Sequence, residues 1–497
     1  MKSISDYADS ALRTFERPPV PPPDAINDVY LIGICGTGMG ALAGLFQQAG
    51  YDVRGADEAA YPPMSAHLAA QGIPVLEGYD PAHLDPPPDL TVVGNACRPA
   101  HPEATVAREE GLVQQSFPEA LGHFFLPPDR RSIVLAGTHG KTTTTGLLVH
   151  TLHTAGVDAG FLVGGVMQNT GLSYALGTDA PFVVEGDEYD SAYFDKRPKF
   201  MHYRPDTALV SSVEFDHADI YASADEYRRA FERFVGMLDA NDGLLALCAD
   251  APSVRGLAEA TSSRVQTYGL SADADVGATR VRTTPEGQAF ILTVDGVKRA
   301  PMHLPLHGEH NLQNALGVAL LARSEGCSPQ QIADGFATFD GMKRRQEVRG
   351  EPGGVRVLDD FAHHPTAVDA TIRAVASAHP DRRLVAVFEP RSNSSRRKIF
   401  EDPYGRAFDA ADRVFLKAPP VRHNDDVATM LDPAAVVAGI RERGVPAHAF
   451  AAVDTLLPAL TDALTAGDIA LLMSNGSFDG LHEKLLDALA NRASGSP

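Results

Sequence analysis

A phosphate-binding segment near residue 140 constrains the fold of this chain more than any other feature. Residues 133–136 form a short apolar run that predicts a buried strand, and the polar stretch GTHGKT at 137–142 follows directly. In such a strand–loop–helix unit, backbone N–H groups face an anion, a lysine adds positive charge and a hydroxyl reaches Mg²⁺. The usual pattern has a glycine where this chain has Leu135. The alternative is a structural glycine turn, but Gly-Lys-Thr-Thr after an apolar strand favours ATP binding. The candidate contacts are Gly137, Thr138, His139, Gly140, Lys141, Thr142 and Thr143.

Size and composition exclude several classes of protein. The chain has 497 residues, which predicts more than one domain. Its net charge of −21 argues against a nucleic-acid partner and against binding to an anionic membrane surface. The four cysteines are far apart and are expected to be free thiols in a reducing compartment. No apolar run approaches the ~20 residues of a membrane span, and the N-terminus lacks a signal-peptide stretch. We therefore expect a cytoplasmic protein with a flexible extension at residues 1–27.

Residues 28–127 are predicted to form a Rossmann-like domain. Strand-like residues 29–34 lead into a glycine loop at 36–40, and a second strand ends at Asp57 about 20 residues later. This pattern binds a pyrophosphate and places an acid near a ribose hydroxyl. Taken alone it indicates NAD, but the same loop suits the pyrophosphate of a UDP-sugar. The candidate contacts are Gly36, Thr37, Gly38, Met39, Asp57 and, after a third strand, Arg98.

Residues 128–340 are predicted to form the ATP-binding domain, with acidic groups at its strand ends. One strand ends at Glu185, and another precedes Asp216 and His217. Ligands of open α/β sheets bind outside the carboxyl ends of the strands. We therefore predict that Thr142, Glu185 and His217 hold Mg²⁺ between nucleotide phosphates, although each of the last two could be structural. Three nearby acids are interpreted as solvated or structural: Asp187, Glu188 and Asp190.

Two more segments of this domain are candidates for substrate binding. Residues 193–205 form a basic, aromatic stretch in an acidic chain, so Lys196 and Arg197 are predicted substrate contacts, with a packed insertion as the alternative. Asn311 and Asn314 lie one helical turn apart, which suits an adenine edge. An ordinary helix N-cap is the alternative for Asn311.

Residues 341–497 are predicted to form a third, Rossmann-like domain. Strand and helix patterns alternate through this region, which indicates an open, mainly parallel sheet. The whole chain is thus expected to be an α/β protein of three domains. The polar groups at the ends of the third set of strands are expected to line a cleft facing the ATP domain: Asp359, Asp360, His363, Glu389, Arg391, Asn393, Ser474 and Asn475.

Seven motifs occur in the order typical of one family, and on these residues the chain resembles the Mur ligases of peptidoglycan synthesis. The similarity covers nearly the whole chain after residue 28. Motif and domain order are nearest to the ligases that add L-alanine, while stretches 61–65, 188–200, 389–393 and 473–476 look like the murein peptide ligases of recycling. The motifs are the loop at 33–39, residues 137–143, Glu185 with Asp187 and Glu188, Asp216-His217, His310-Asn311, Arg344-Arg345 and residues 359–365.

The resemblance implies a specific reaction. ATP phosphorylates the carboxylate of UDP-N-acetylmuramate, and the amine of the tripeptide L-alanyl-γ-D-glutamyl-meso-diaminopimelate attacks the acyl phosphate. The resemblance also implies a role for each of several residues. Lys141 is implied to hold the phosphates, Thr142 and Glu185 to bind one Mg²⁺, and His217 to bind a second metal. Asn311 is implied to contact adenine, Arg345 and Asp360 to hold the nucleotide, and His363 to lie near the amine. The loop of the first domain is implied to hold the UDP pyrophosphate.

The chain differs from several of these relatives in one respect, and two other functions are alternatives to the one that the resemblance implies. Several relatives use a carbamylated lysine after the Asp-His motif, but no lysine occurs here between Lys199 and Lys298. An L-alanine ligase is the first alternative, and a cation in the amine pocket would instead favour the tripeptide. Candidates for that cation are Arg391, beside Asn393, and the Lys196-Arg197 pair. An NAD-dependent oxidoreductase or an NAD-binding protein is the second alternative, but it leaves the ATP loop unexplained.

Overall fold

The fold is described by a computed structural model for residues 15–60, 64–217, 220–421 and 427–495. It contains three β-sheets flanked by helices, as expected for an α/β chain. The chain divides into two compact units. The first comprises the described residues up to Gly277, with 293–297 and 316–335, and the second comprises 278–292, 298–315 and the described residues from 336 onward.

The first sheet has five parallel strands in the order β3-β2-β1-β4-β5, the arrangement of a Rossmann-like domain. Its strands are Asp28–Ile32 (β1), Asp52–Asp57 (β2), Val75–Glu77 (β3), Leu90–Val93 (β4) and Gln114–Ser116 (β5). Its helices are Thr37–Gln48 (α1), Met64–Ala70 (α2), Pro102–Glu109 (α3) and Phe117–Phe125 (α4). Helix α4 begins with a capping box, in which Ser116 and Glu119 each bond the backbone N–H of the other.

The second sheet has ten strands in the order β15-β14-β13-β12-β11-β10-β6-β9-β7-β8. Strand β6 lies inside the sheet and pairs in parallel with β10 and β9, so the phosphate-binding segment follows a strand with neighbours on both sides. The strands are Arg131–Ala136 (β6), Gly160–Leu162 (β7), Tyr174–Ala175 (β8), Pro181–Gly186 (β9), Thr207–Val210 (β10), Leu244–Cys248 (β11), Arg264–Tyr268 (β12), Val276–Thr284 (β13), Gly287–Val294 (β14) and Val297–Leu304 (β15). The helices are Lys141–Thr154 (α5), Ala224–Val235 (α6), Glu309–Ser324 (α7) and Pro329–Ala337 (α8).

The third sheet has six strands in the order β16-β17-β21-β18-β19-β20, and its pairs are parallel except for β16 with β17. The predicted mainly parallel sheet is therefore confirmed. The strands are Glu347–Gly350 (β16), Arg356–Asp360 (β17), Leu384–Phe388 (β18), Arg413–Lys417 (β19), Ala447–Phe450 (β20) and Ile469–Met473 (β21). The helices are Pro365–Ala378 (α9), Glu401–Arg406 (α10), Pro433–Glu442 (α11), Val453–Ala463 (α12) and Leu481–Ala493 (α13).

The N-terminal segment, predicted to be a flexible extension, is described only from residue 15. There, Arg17 forms an ion pair with Glu119 of α4 at 2.9 Å, and the ring of Phe15 packs against that of Phe194. Residues 1–14 of the predicted extension, like residues 61–63, lie outside the described residues. The four cysteines are free, as expected. Within the described ranges, no helix combines the length and apolar character that crossing a membrane requires.

Candidate active site

The loop between β6 and α5 has the shape that its glycines require. Gly137 has a φ of +126° and Gly140 a φ of +82°, both in the region that favours glycine. A Cβ on Gly137 would lie 2.9 Å from the backbone nitrogen of Ser211, so a larger residue would displace the chain that follows β10. That chain supports the loop, because Ser212 accepts hydrogen bonds from the N–H groups of Thr138 and His139 at 2.9 and 3.2 Å. The loop therefore holds its shape before any ligand binds.

Lys141, the first residue of α5, folds back over the loop. Its Nζ donates to the carbonyl oxygen of Gly137 at 2.6 Å and to both carboxylate oxygens of Glu188 at 2.8 and 3.1 Å. Burial opposes the charge on the amine, but the carboxylates of Glu188 and Asp187 outweigh burial and raise the pKa of Lys141. The lysine is therefore charged and lies beside the loop in which phosphates are predicted to bind.

Glu188 is the centre of a buried hydrogen-bond network. Its side chain is 1% exposed, and its Oε1 is 3.2 Å from Nε2 of His217 and accepts from the hydroxyl of Tyr227 at 3.1 Å. Burial raises the pKa of Glu188, but the positive charges of Lys141 and His217 outweigh it, and the net shift is downward. The sequence interpretation treated this acid as solvated or structural. The solvated alternative is wrong, because its carboxylate bonds two of the predicted catalytic residues.

A second carboxylate faces the start of α5. Thr142 donates from its hydroxyl to Oε1 of Glu185 at 3.1 Å, and the backbone N–H of Gly164 donates to Oε2 at 2.8 Å. A hydroxyl and a carboxylate this close are the oxygen ligands that Mg²⁺ prefers beside nucleotide phosphates. The structure therefore brings together the two residues predicted to share the first metal ion, and their donor atoms fit that ion.

His217 reaches this site through an unusual backbone conformation. Its φ is +55°, in the left-handed region, and its N–H donates to Oδ1 of Asp216 at 2.7 Å. Its ring lies 4.2 Å, centre to centre, from that of Tyr189. Residues held in rare conformations cluster at functional sites, where the surrounding structure enforces them. Here the conformation directs the imidazole toward Glu188.

The glycine loop of the first domain is held by the acid at the end of β2. The backbone N–H of Cys35 donates to Oδ2 of Asp57 at 2.8 Å, so the predicted ribose ligand also orders the loop. Gly36 and Thr37 are exposed at the start of α1, Gly38 is half-buried, and Arg98 is exposed. The side chain of Met39 packs in the hydrophobic core, so its backbone alone is available to a pyrophosphate. Binding of a UDP-sugar by these residues stays a prediction.

The basic stretch at 193–205 is engaged in ion pairs within the first unit. Lys196 contacts Asp190 at 2.5 Å, and Arg197 contacts Asp195 at 2.7 Å. Asp190 also accepts from Nδ2 of Asn95, which follows β4, at 3.3 Å. The packed insertion that the sequence left open as an alternative agrees with these contacts. Peptide binding by Lys196 and Arg197 stays a prediction.

In the second unit, Asn311 and Asp360 are both occupied by local hydrogen bonds. Asn311 donates to the carbonyl of His307 at 2.8 Å, which organises the start of α7. Asp360 is buried and accepts the N–H groups of Gln346 and Ala362, both at 2.8 Å. Burial raises the pKa of Asp360, and the nearby Arg345 partly offsets that shift. Their predicted contacts with a nucleotide, and that of Arg345, remain untested.

His363 and a cluster of charges lie at the carboxyl ends of the third sheet's strands. Nδ1 of His363 is 3.1 Å from the carbonyl oxygen of Phe361, and its role near the amine stays a prediction.

The charged cluster centres on Glu389, which is fully buried directly after β18. Lys417, the last residue of β19, contacts Glu389 at 2.7 Å and Asp479 at 3.0 Å. Arg391 contacts the same two carboxylates at 3.4 and 3.6 Å. Asn393, predicted with Arg391 to bind peptide, is half-buried nearby in sequence. The sequence interpretation did not identify Lys417 or Asp479, although the position of Lys417 at the end of a strand could have indicated a functional role.

Three family models match this chain in the order of its sheets. The model described as "Mur ligase family, catalytic domain" matches residues 28–126, "Mur ligase middle domain" matches 135–322, and "Mur ligase, glutamate ligase domain" matches 344–476. The chain belongs to the Mur ligase family. As a Mur ligase it is an ATP-dependent enzyme that forms an amide bond. This membership accounts for the central domain, which an NAD-dependent oxidoreductase would leave unexplained.

Three of the similar Mur ligases carry two kinds of name. The UDP-N-acetylmuramate–L-alanyl-γ-D-glutamyl-meso-2,6-diaminoheptandioate ligase of Escherichia coli (strain K12) is 38% identical, over 94% of this chain and 99% of its own. The UDP-N-acetylmuramate–L-alanine ligase of Kineococcus radiotolerans is 37% identical, over 94% and 97%. The crystal structure of a murein peptide ligase from Psychrobacter arcticus is 34% identical, covers 94% of this chain and 99% of its own, and has a TM-score of 0.71.

Proposed function

We propose that this Mur ligase joins the tripeptide L-alanyl-γ-D-glutamyl-meso-diaminopimelate to UDP-N-acetylmuramate, with hydrolysis of ATP to ADP and phosphate. The reaction belongs to peptidoglycan recycling. One observation carries the ATP half of the proposal: Lys141, Thr142, Glu185 and His217 converge around the loop that follows β6. The names of two similar proteins, from Escherichia coli and Psychrobacter arcticus, support the tripeptide half.

The reaction proceeds in two chemical steps. A carboxylate oxygen of the muramyl group attacks the γ-phosphorus of ATP, which forms an acyl phosphate and releases ADP. The amine of the tripeptide then attacks the acyl carbon, the amide bond forms, and phosphate and a proton leave. Both steps move charge on phosphoryl oxygens, so catalysis depends mainly on positioning and charge neutralisation.

The residues of the first unit suit those requirements. Lys141 neutralises the β- and γ-phosphates, and the N–H groups from Gly140 to Thr143 bind phosphate oxygens at the start of α5. Thr142 and Glu185 would hold one Mg²⁺ and His217 a second cation, and these ions when bound would neutralise the charge that develops on the phosphoryl oxygens. The loop after β1, ordered by Asp57, takes the pyrophosphate of the UDP-sugar.

The charged cluster of the second unit suits the amine substrate. The diaminopimelate end of the tripeptide carries a carboxylate and an ammonium group on one carbon. Lys417 and Arg391 offer cations to the carboxylate, while Asp479 offers an anion to the ammonium group. L-Alanine has the same two groups on one carbon, but its nitrogen is the nucleophile and must react as an uncharged amine, so an anion that pairs with an ammonium group does not serve it. The cluster therefore favours the longer amine.

Phosphate release tests the proposal directly. The enzyme is incubated with ATP, Mg²⁺ and UDP-N-acetylmuramate, with either the tripeptide or L-alanine as the amine. We expect phosphate release with the tripeptide and little with L-alanine. Release with L-alanine alone would assign the chain to the L-alanine ligases and contradict the tripeptide half. Absence of release with both amines would contradict the ligase activity itself.

A further inference from the structure

Glu188 contacts the lysine of the phosphate-binding loop, but the two chemical steps of the reaction give it no role. Both of its carboxylate oxygens contact the amine of Lys141, and Oε1 also contacts His217 and Tyr227. The proposed reaction requires Lys141 to face the phosphates of ATP. Its charge is then engaged by phosphate oxygens, and Glu188 loses its principal counter-ion while it stays buried.

A buried carboxylate without a counter-ion is strongly unfavourable. Removing one partner of a buried ion pair is strongly destabilising, because the remaining charge is neither solvated nor paired. Tyr227 offers one neutral hydrogen bond, and the imidazole of His217 offers one more. Both contact Oε1 alone, whereas the amine of Lys141 contacts both carboxylate oxygens, so departure of the lysine removes the cation from Oε2. The nucleotide-bound site therefore needs another cation beside Glu188.

The separation of the donor atoms fits a divalent cation. Mg²⁺ binds ligands at 2.0–2.1 Å in octahedral geometry, which places adjacent ligand atoms about 3.0 Å apart. Nε2 of His217 and Oε1 of Glu188 are 3.2 Å apart. The pair predicted to hold the first ion, Thr142 and Glu185, is separated by a similar 3.1 Å. A carboxylate and an imidazole at this spacing can serve as neighbouring ligands of one divalent ion.

The carboxylate is also fixed in place. The hydroxyl of Tyr227 lies 3.1 Å from Oε1 of Glu188 and 3.0 Å from Oγ1 of Thr138 in the phosphate-binding loop. The hydroxyl of Tyr221 donates to the carbonyl oxygen of Glu188 at 2.7 Å. Glu188 therefore keeps its position when Lys141 turns toward a phosphate.

We propose that Glu188 exchanges one counter-ion for another: it neutralises Lys141 in the nucleotide-free enzyme and, once ATP engages Lys141, binds a divalent cation together with His217. The inference rests on the proposed use of ATP and Mg²⁺. It also supplies a carboxylate for the second metal in a chain that lacks a lysine between Lys199 and Lys298. Binding of the second cation is thereby made conditional on binding of the nucleotide.

Manganese binding tests this exchange without any turnover. Free Mn²⁺ is measured by electron paramagnetic resonance as MnCl₂ is titrated into the full-length enzyme, with and without a non-hydrolysable ATP analogue. We expect the wild type to bind two Mn²⁺ per chain with the analogue, and Glu188→Gln to bind one. Asp190→Asn is the matched control, since Asp190 is a buried acid of the same segment that pairs with Lys196. It should still bind two.

A second variant tests the exchange in the opposite direction. In Lys141→Met the carboxylate of Glu188 lacks its lysine, so we expect Mn²⁺ to bind about 10- to 100-fold more tightly than to the wild type when nucleotide is absent. Adding Glu188→Gln to this variant should abolish the gain.

Four outcomes separate this inference from the proposed function. Two Mn²⁺ on Glu188→Gln, or no gain in Lys141→Met, would overturn the exchange and leave the ligase proposal intact. One Mn²⁺ on the wild type with the analogue would also overturn it. A wild type that binds neither the analogue nor analogue-dependent Mn²⁺ would overturn the proposed function as well.

Discussion

The ion pair between Lys141 and Glu188 should stabilise the nucleotide-free enzyme, and Lys141→Met measures by how much. Methionine keeps most of the volume of the lysine and removes its charge. The side chains are 14% and 1% exposed, so the pair is poorly solvated. Breaking a buried pair costs about 3–5 kcal/mol, and the lower end applies here because Glu188 keeps His217 and Tyr227. At roughly 2–4 °C per kcal/mol for a domain of this size, the unfolding temperature should fall by about 6–12 °C.

The double variant Lys141→Met/Glu188→Gln separates stability from catalysis. With both charges removed, the buried site is neutral again, and the amide oxygen of the introduced glutamine still accepts from Tyr227. We expect the double variant to recover at least half of the decrease in unfolding temperature caused by Lys141→Met, because replacing both partners of a buried pair is often nearly neutral. Phosphate release should stay absent in both variants, since neither has the cation for the phosphates. Differential scanning fluorimetry and a phosphate assay on the same samples provide the two measurements.

A surface cation of the same unit is the control. Arg228 pairs with Glu232 one turn away on α6, and its side chain is half exposed. Arg228→Met should change stability by about 0.5 kcal/mol or less. The reasoning is refuted if Lys141→Met unfolds at the wild-type temperature. It is also refuted if the double variant is no more stable than the single one, because the loss would then not arise from an unpaired Glu188.

Three further predictions concern other parts of the molecule. A Cβ on Gly122 of α4 would overlap the carbonyl oxygen of His202, so Gly122→Ala should destabilise the protein by about 1–3 kcal/mol in thermal unfolding. The control is Gly405→Ala in α10, where a Cβ has room. This change should be neutral or stabilise the protein by up to about 1 kcal/mol. Burial raises the pKa of Glu103, so its stabilising contribution is full below its ordinary pKa of 4.5 and is lost as the pH rises through the folded-state value. The wild type should therefore lose stability relative to Glu103→Gln as the pH rises above 4.5, and parallel pH profiles would contradict this. Lys417→Met should raise the KM for the tripeptide about 10- to 100-fold without changing that for UDP-N-acetylmuramate, and an unchanged tripeptide KM would exclude the cluster as the peptide site.

The sequence predicted the parallel strands around the phosphate-binding loop, and the loop itself, because their signals are local. Apolar runs mark β6, β9 and β10, and the glycines at 137 and 140 occupy backbone conformations that disfavour other residues. The pairing of Thr142 with Glu185 was also predictable, since adjacent parallel strands bring their carboxyl ends to one edge of a sheet.

The role of Glu188 was not predictable in the same way. It lies among several acids after β9, and nothing in its neighbours along the chain distinguishes it from Asp187 or Asp190. Its burial depends on Lys141, His217 and Tyr227, which come from three different parts of the chain. Lys196 and Arg197 show the opposite kind of error. The sequence suggests that this basic stretch can bind a substrate, but in the structure these residues pair with Asp190 and Asp195.

The short span from Glu188 to Asp190 has a thermodynamic consequence. One end bonds the lysine of the phosphate-binding loop, and the other bonds Asn95 at the carboxyl end of β4, where the UDP-sugar is proposed to bind. Nucleotide binding changes the charges at one end of this span while Glu188 keeps its position, and linkage makes any effect on the sugar site reciprocal. If ATP changes the Kd for UDP-N-acetylmuramate by some factor, UDP-N-acetylmuramate changes the Kd for ATP by the same factor. Two independent titrations therefore measure one quantity, the coupling free energy between the two sites.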